Sequence, residues 1–197
     1  MREQVLFSTK TFVFVALVVA TYVGCVILFL FLPSVSLHNI LGLLSLLCYT
    51  ATIIPSILIK VVTSIKTSNI LRWFLINRRF TGVAAFSYGL NHSILLILEK
   101  HLNLFSAKTY IDCFTGFIIL AIFTFLAITS NDYSVKSLKA NWKKLHKLTY
   151  IAIFILPWHI LDKMQGHWSY ITSFAVAIAT IDLALFIKRK SLEQIES

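Results

Sequence analysis

Residues 78–99 read RRFTGVAAFSYGLNHSILLILE. Two arginines open the stretch, a predominantly apolar run over 80–98 follows, and one imidazole, His92, sits inside it. At 1.5 Å per residue, a helix of that length reaches across most of a hydrocarbon core about 30 Å thick. Lipid offers the backbone no water, so such a run must be helical. The pattern recurs along the chain, with further apolar runs at 11–32, 39–59, 110–130, 148–161 and 169–187. We therefore expect an all-α integral membrane protein. Its single domain, 1–197, would be a bundle of six transmembrane helices at about 11–32, 38–60, 79–98, 110–130, 145–162 and 168–187.

Composition agrees. Of 197 residues 58% are hydrophobic and 13% charged, against about 25% charged in a soluble domain. That excludes an ordinary cytosolic enzyme, and only 6 Gly and 3 Pro exclude a disordered or collagen-like chain. Run 11–32 is too long for a signal-peptide core and lacks a small-residue cleavage site, so it reads as a retained first helix. Cys25, Cys48 and Cys113 show no C-x-x-C spacing. They read as small apolar residues and not as a disulfide framework or metal clip.

The net charge is +10. In a soluble chain this would suggest nucleic acid. Here the cations fall between apolar runs, so the expected partner is membrane lipid and no nucleic acid. Of 18 Lys and Arg residues, all but Lys100, Lys108 and Lys163 lie in the N-tail, the second and fourth loops, and the C-tail. Such asymmetry marks the cytoplasmic side, so both termini are expected there, in a multi-pass membrane protein. The cluster Lys136, Lys139, Lys143, Lys144 and Lys147 either sets topology and binds anionic lipid or docks a cytosolic donor.

Depth brings two histidines together. His92 lies 14 residues beyond Arg78, and His159 lies 15 beyond Lys144, heights of about 21 and 22 Å on helices running the same way. Two imidazoles at one level can ligate a haem iron axially inside an apolar bundle. They can equally be hydrogen-bonded core histidines. Zinc suits them less, because it wants further ligands. His146 stands about 20 Å below His159, beside Arg78 and Arg79. It can ligate a haem alone or with water, hold an anionic cofactor with the two arginines, or sit at the interface. His38 can reach a haem propionate, act as an alternative ligand, or lie at the surface. His101 and His167 fall in outer loops and read as solvated. Asp182, inside the last helix, is expected either to pair with Arg189 two turns on or to accompany proton movement at a quinone site.

The ordered set Arg78-Arg79-x-x-Gly82, His92, Thr129-Ser130, Trp142-x-x-Leu145-His146-x-x-x-Tyr150 and Pro157-x-His159 resembles the ferric reductase-like transmembrane superfamily. It is most similar to the haem-binding membrane subunit of the bacterial periplasmic methionine sulfoxide reductase system, the MsrQ/YedZ family. The resemblance covers about 35–187 and is strongest over 77–160. It implies haem b, with FMN also attributed to the family. It implies electron flow from the quinone pool or a cytosolic flavin reductase to a periplasmic molybdenum-containing methionine sulfoxide reductase catalytic subunit. Carried over by motif, His92 and His159 are the iron ligands, and His146 is a possible second haem-related ligand. Arg78, Arg79, His146 and His38 are expected to bind cofactor, although the spacing from His38 to Gly42 and Pro55 departs from the family pattern. No Gly-rich dinucleotide motif is present, so the donor must be a separate protein or quinol. The chain is then an electron-transfer subunit with no catalytic site of its own. A stand-alone ferric or metal reductase and a haem-free transporter or scaffold remain as alternatives.

Overall fold

Long apolar runs become helices here because the helix alone satisfies every backbone group within its own segment. The computed structural model describes residues 16, 18–24, 27, 36–164 and 169–195. Residues 18–24 of the first apolar run are helical. Beyond them come α1 (Leu37–Val61), α2 (Asn69–Glu99), the short α3 (Ala107–Asp112), α4 (Phe114–Ile128), the short α5 (Asp132–Leu138) and α6 (Ala140–His146), α7 (Leu148–Lys163) and α8 (Tyr170–Ile195). Among the described residues there is no strand.

Among the described residues three helices, α1, α2 and α8, are long and apolar enough to cross a membrane. The number is four if α4 and α5, bent by 92° at their break, count as one span. The sequence predicts six. Two of the differences have local causes. The run expected over 110–130 is broken at Cys113, which separates α3 from α4. The helix expected over 145–162 starts only at Leu148, because Lys147 ends the separate helix α6. At 16 residues, α7 spans about 24 Å, short of a full hydrocarbon core. Most of the run over 11–32 lies outside the described residues, as does His167.

The long helices close into a ring. α1 packs on α2 and α8, α2 on α4, α4 on α7, and α7 on α8. The ring interior is filled by Leu46, Tyr49 and Ile53 of α1, Phe123 of α4, Ile153 of α7 and Ala179 of α8. Its outside carries exposed Phe125, Phe154, Trp158 and Ile181, as a lipid-facing surface allows.

Apolar burial gains little between helices already in lipid, so packing and interhelical hydrogen bonds hold such a ring together. Ser45 Oγ donates to the Ala85 carbonyl at 2.7 Å, joining α1 to α2. Tyr49 OH donates to the Thr149 carbonyl at 2.7 Å, joining α1 to α7. Thr50 Oγ1 donates to Asp182 Oδ2 at 2.6 Å, joining α1 to α8. Asp182 is buried, and its partner is this threonine and not the expected Arg189. Arg189 Nε instead donates to Glu193 Oε1 at 2.8 Å, one turn along the same helix.

Candidate functional site: histidines at one end of the ring, a cationic cavity at the other

His92 is set by two features of α1. Gly42 leaves room for its ring, since a Cβ there would stand 3.0 Å from His92 Nδ1. His92 Nδ1 lies 2.7 Å from the backbone carbonyl of His38. A carbonyl only accepts, so Nδ1 carries the proton and Nε2 carries the lone pair. His38 stands beside it, with ring centroids 5.8 Å apart. The Nδ1–H of His38 is shared between Glu99 Oε2 at 2.6 Å and Ser36 Oγ at 2.5 Å.

On α7, His159 is anchored through the same ring nitrogen, here by a hydroxyl that can either accept from it or donate to it. Its Nδ1 lies 2.9 Å from Thr115 Oγ1 of α4. Gly116 borders the ring, and a Cβ there would approach His159 Cε1 to 3.1 Å. The helices α2 and α7 are not ring neighbours, yet His92 and His159 lie within electrostatic reach of each other. Among the described residues neither Nε2 has a hydrogen-bond partner. Metal-bound histidines are oriented in this way, one ring nitrogen anchored and the other open. Among the described residues, no three His, Cys, Asp or Glu side chains converge as a bare metal ion would require. Two imidazoles anchored in this way would fit a prosthetic group that brings most of its iron's donors with it.

At the Arg78 end of the ring lies a cavity of about 280 Å³, lined by Arg78, Arg79, Trp142, His146 and Tyr150, with Tyr49 and Phe123 towards the core. Tyr49 and Phe123 stack at 5.4 Å. Arg79 is held by the Ser130 carbonyl, to which its Nε donates, and by Asp132 Oδ1, 2.7 Å from Nη1. Trp142 stacks on His146 at 4.0 Å and donates from Nε1 to the Thr129 carbonyl at 2.9 Å. His146 Nε2 is 3.3 Å from Thr129 Oγ1, whose own proton goes to the Phe125 carbonyl at 2.7 Å. Nε2 of His146 therefore faces an acceptor. Burial, and after it the charge of Arg78, lowers the His146 pKa from its ordinary value. His146, at the end of α6, is accordingly a neutral ring near pH 7, with Nε2 towards Thr129.

The six predicted residues thus fall into two groups. His38, His92 and His159 share one end of the ring, and Arg78, Arg79 and His146 share the cavity. Sequence reasoning gave no role to Thr115, Gly116, Glu99 or Ser36. Thr129 and Trp142 stand in the ordered motif, where sequence gives Thr129 no role and reads Trp142 only as an interfacial aromatic. In the structure they fix His146.

A family model for a ferric reductase like transmembrane component matches residues 41–157. The chain belongs to the ferric reductase-like transmembrane family. The matched stretch of this family member holds Arg78, Arg79, His92 and His146, and it ends two residues before His159. Similar curated proteins are the protein-methionine-sulfoxide reductase heme-binding subunit MsrQ of Brucella ovis, Brucella canis and Brucella suis. Each is 30% identical over 154 residues, which cover 76% of this chain and 66% of the relative. The chain therefore spans slightly less than two thirds of the length of these relatives. No solved structure matches this family member. The family resemblance read from the ordered residues is borne out.

Proposed function

We propose that this chain is a b-type membrane cytochrome, the haem-binding subunit that serves a periplasmic molybdenum-containing methionine sulfoxide reductase. One observation carries the reading. His92 and His159 come from helices that are not neighbours, each is anchored through Nδ1, and neither Nε2 has a partner among the described residues. The relatives named as haem-binding subunits support it. Haem, when bound, supplies reversible one-electron transfer.

The chain's own residues bind, orient and shield. With haem bound, His92 and His159 would hold its iron. The carbonyl of His38 and the hydroxyl of Thr115 fix their rings, and anchoring of this kind makes imidazole a better ligand. The ring of apolar side chains keeps water out and so tunes the potential. At the other end, Arg78, Arg79 and His146 take an anionic cofactor, for which FMN is the candidate. Arginine binds phosphate through paired N–H groups. His146 serves there as a hydrogen-bonding group, with haem ligation as the second role open to it. Electrons come from a quinol or a cytosolic flavin reductase at the Arg78 end, which the cation count puts in the cytoplasm of a bacterial inner-membrane protein with six spans.

The test is the visible spectrum of the purified protein expressed with adequate haem, followed by reduction of its haem by a flavin reductase or quinol. A Soret band that shifts on reduction, and re-oxidises when the molybdenum subunit and methionine sulfoxide are added, is expected. Absence of a Soret band ends the cytochrome reading. A haem that re-oxidises with ferric chelates but not with the molybdenum subunit points to a stand-alone metal reductase.

A further inference from the structure

We infer that Glu99, acting through His38 and Ser36, is a positioning residue that sets the orientation and electronic character of His92 as a haem ligand. This rests on the cytochrome reading above.

The location of Glu99 is the first observation. It is the last residue of α2, where a carboxylate meets the negative end of the helix dipole. Nothing in α2 itself favours it there. Across the interface, however, it stands at the first turn of α1, whose positive end suits it. Ser36 is the residue preceding α1, yet its side chain makes no capping bond within that helix. Its Oγ donates to Glu99 Oε2 at 2.9 Å. The same carboxylate oxygen accepts from His38 Nδ1 at 2.6 Å. Three side chains thus converge to tie the start of α1 to the end of α2.

The tie is made at residue 38, whose carbonyl is the one His92 Nδ1 addresses at 2.7 Å. Holding His38 by its ring holds that carbonyl, and with it the rotation of the His92 imidazole. The negative charge also lies within electrostatic reach of His92, and a nearby carboxylate stabilises the more positive, oxidised iron. Glu99 bonds to His38 and Ser36 and not to His92, so its effect is on geometry and potential and not on ligation.

The experiment compares purified holoprotein carrying Glu99→Gln, Glu99→Asp, Ser36→Ala and His38→Ala with the unmodified chain. Haem content, the low-spin ferric paramagnetic resonance spectrum and the midpoint potential are read for each. We expect Glu99→Gln to keep its haem, to shift the g-values and to move the midpoint potential to more positive values. Glu99→Asp should recover part of both shifts. Ser36→Ala keeps the charge and should shift the g-values with a smaller change in potential. It decides the matter if Glu99→Gln does not fold. His38→Ala keeps the backbone carbonyl and should retain haem with shifted g-values. Unchanged g-values and potential in the folded variants overturn the inference. So does loss of haem in His38→Ala, which would make His38 itself the ligand. A chain with no haem in its unmodified form fails at the earlier reading instead, which the haem content alone reveals.

Discussion

His92 Nδ1 donates to the backbone carbonyl of His38 across the packing of α1 on α2, at 2.7 Å. The bond leaves Nε2 with the lone pair, and it depends on Gly42, one turn along α1, having no side chain. Alanine is favoured over glycine in a helix by up to about 1 kcal/mol, so at a free position Gly42→Ala would stabilise α1. Here its Cβ would stand 3.0 Å from His92 Nδ1. We expect Gly42→Ala to keep its helix content by circular dichroism while shifting the paramagnetic resonance spectrum of the low-spin haem. An unaltered spectrum would show that the ring does not depend on this gap.

Gly116 stands in the same relation to His159, with a would-be contact of 3.1 Å to Cε1. Thr115→Val removes the hydroxyl beside Nδ1 and keeps the side-chain shape. The lost hydrogen bond is worth about 1 kcal/mol, and it leaves the ring free to turn. A weaker haem, released several-fold faster to apomyoglobin, is the expected result. Release at the unmodified rate would mean that Thr115 does not orient His159.

The cavity group is separable from the histidine pair. Arg78→Gln removes one guanidinium that faces the cavity. A charge-assisted hydrogen bond contributes about 1.5–3 kcal/mol, so we expect FMN affinity in equilibrium dialysis to fall about tenfold or more. Trp142→Leu removes both the stack on His146 and the bond to Thr129, and it should lower FMN affinity as well. Neither change should alter the low-spin haem spectrum. Unchanged FMN binding in both would detach the flavin from this cavity.

The pair Thr50–Asp182 tests what holds the ring. Thr50→Val leaves the buried Asp182 carboxyl without its donor, at a cost of about 1–3 kcal/mol. We expect a lower thermal midpoint in detergent for Thr50→Val and a smaller loss for Thr50→Val combined with Asp182→Leu, where both polar partners are gone. Equal losses in the two would mean the pair is not coupled.

How much of this was legible follows from the range of each signal. Hydropathy is local, so the helices α1, α2 and α8 could be read directly from their apolar runs. The breaks at Cys113 and Lys147 could not, since both lie where neither glycine nor proline marks an end. A shared level for His92 and His159 is what rise per residue predicts for two continuous helices, and the break at Lys147 interrupts that count on the way to His159. Which groups anchor the two rings depends on the order of helices around the ring, and no count along one helix gives that. Thr115 lies 44 residues from His159, and Glu99 lies 61 from His38. For Asp182 the spacing offers Arg189, on the same helix face, as one of two readings. The structure pairs it with Thr50 instead, 132 residues away.

On the proposed function, the imidazoles of His92 and His159 share one iron. The most direct measurement is the haem content and low-spin spectrum of His92→Ala, His159→Ala and His146→Ala, purified alongside the unmodified protein. The first two are each expected to lose the low-spin haem or convert it to a high-spin form, while His146→Ala keeps it. An unmodified low-spin spectrum in both His92→Ala and His159→Ala would contradict it.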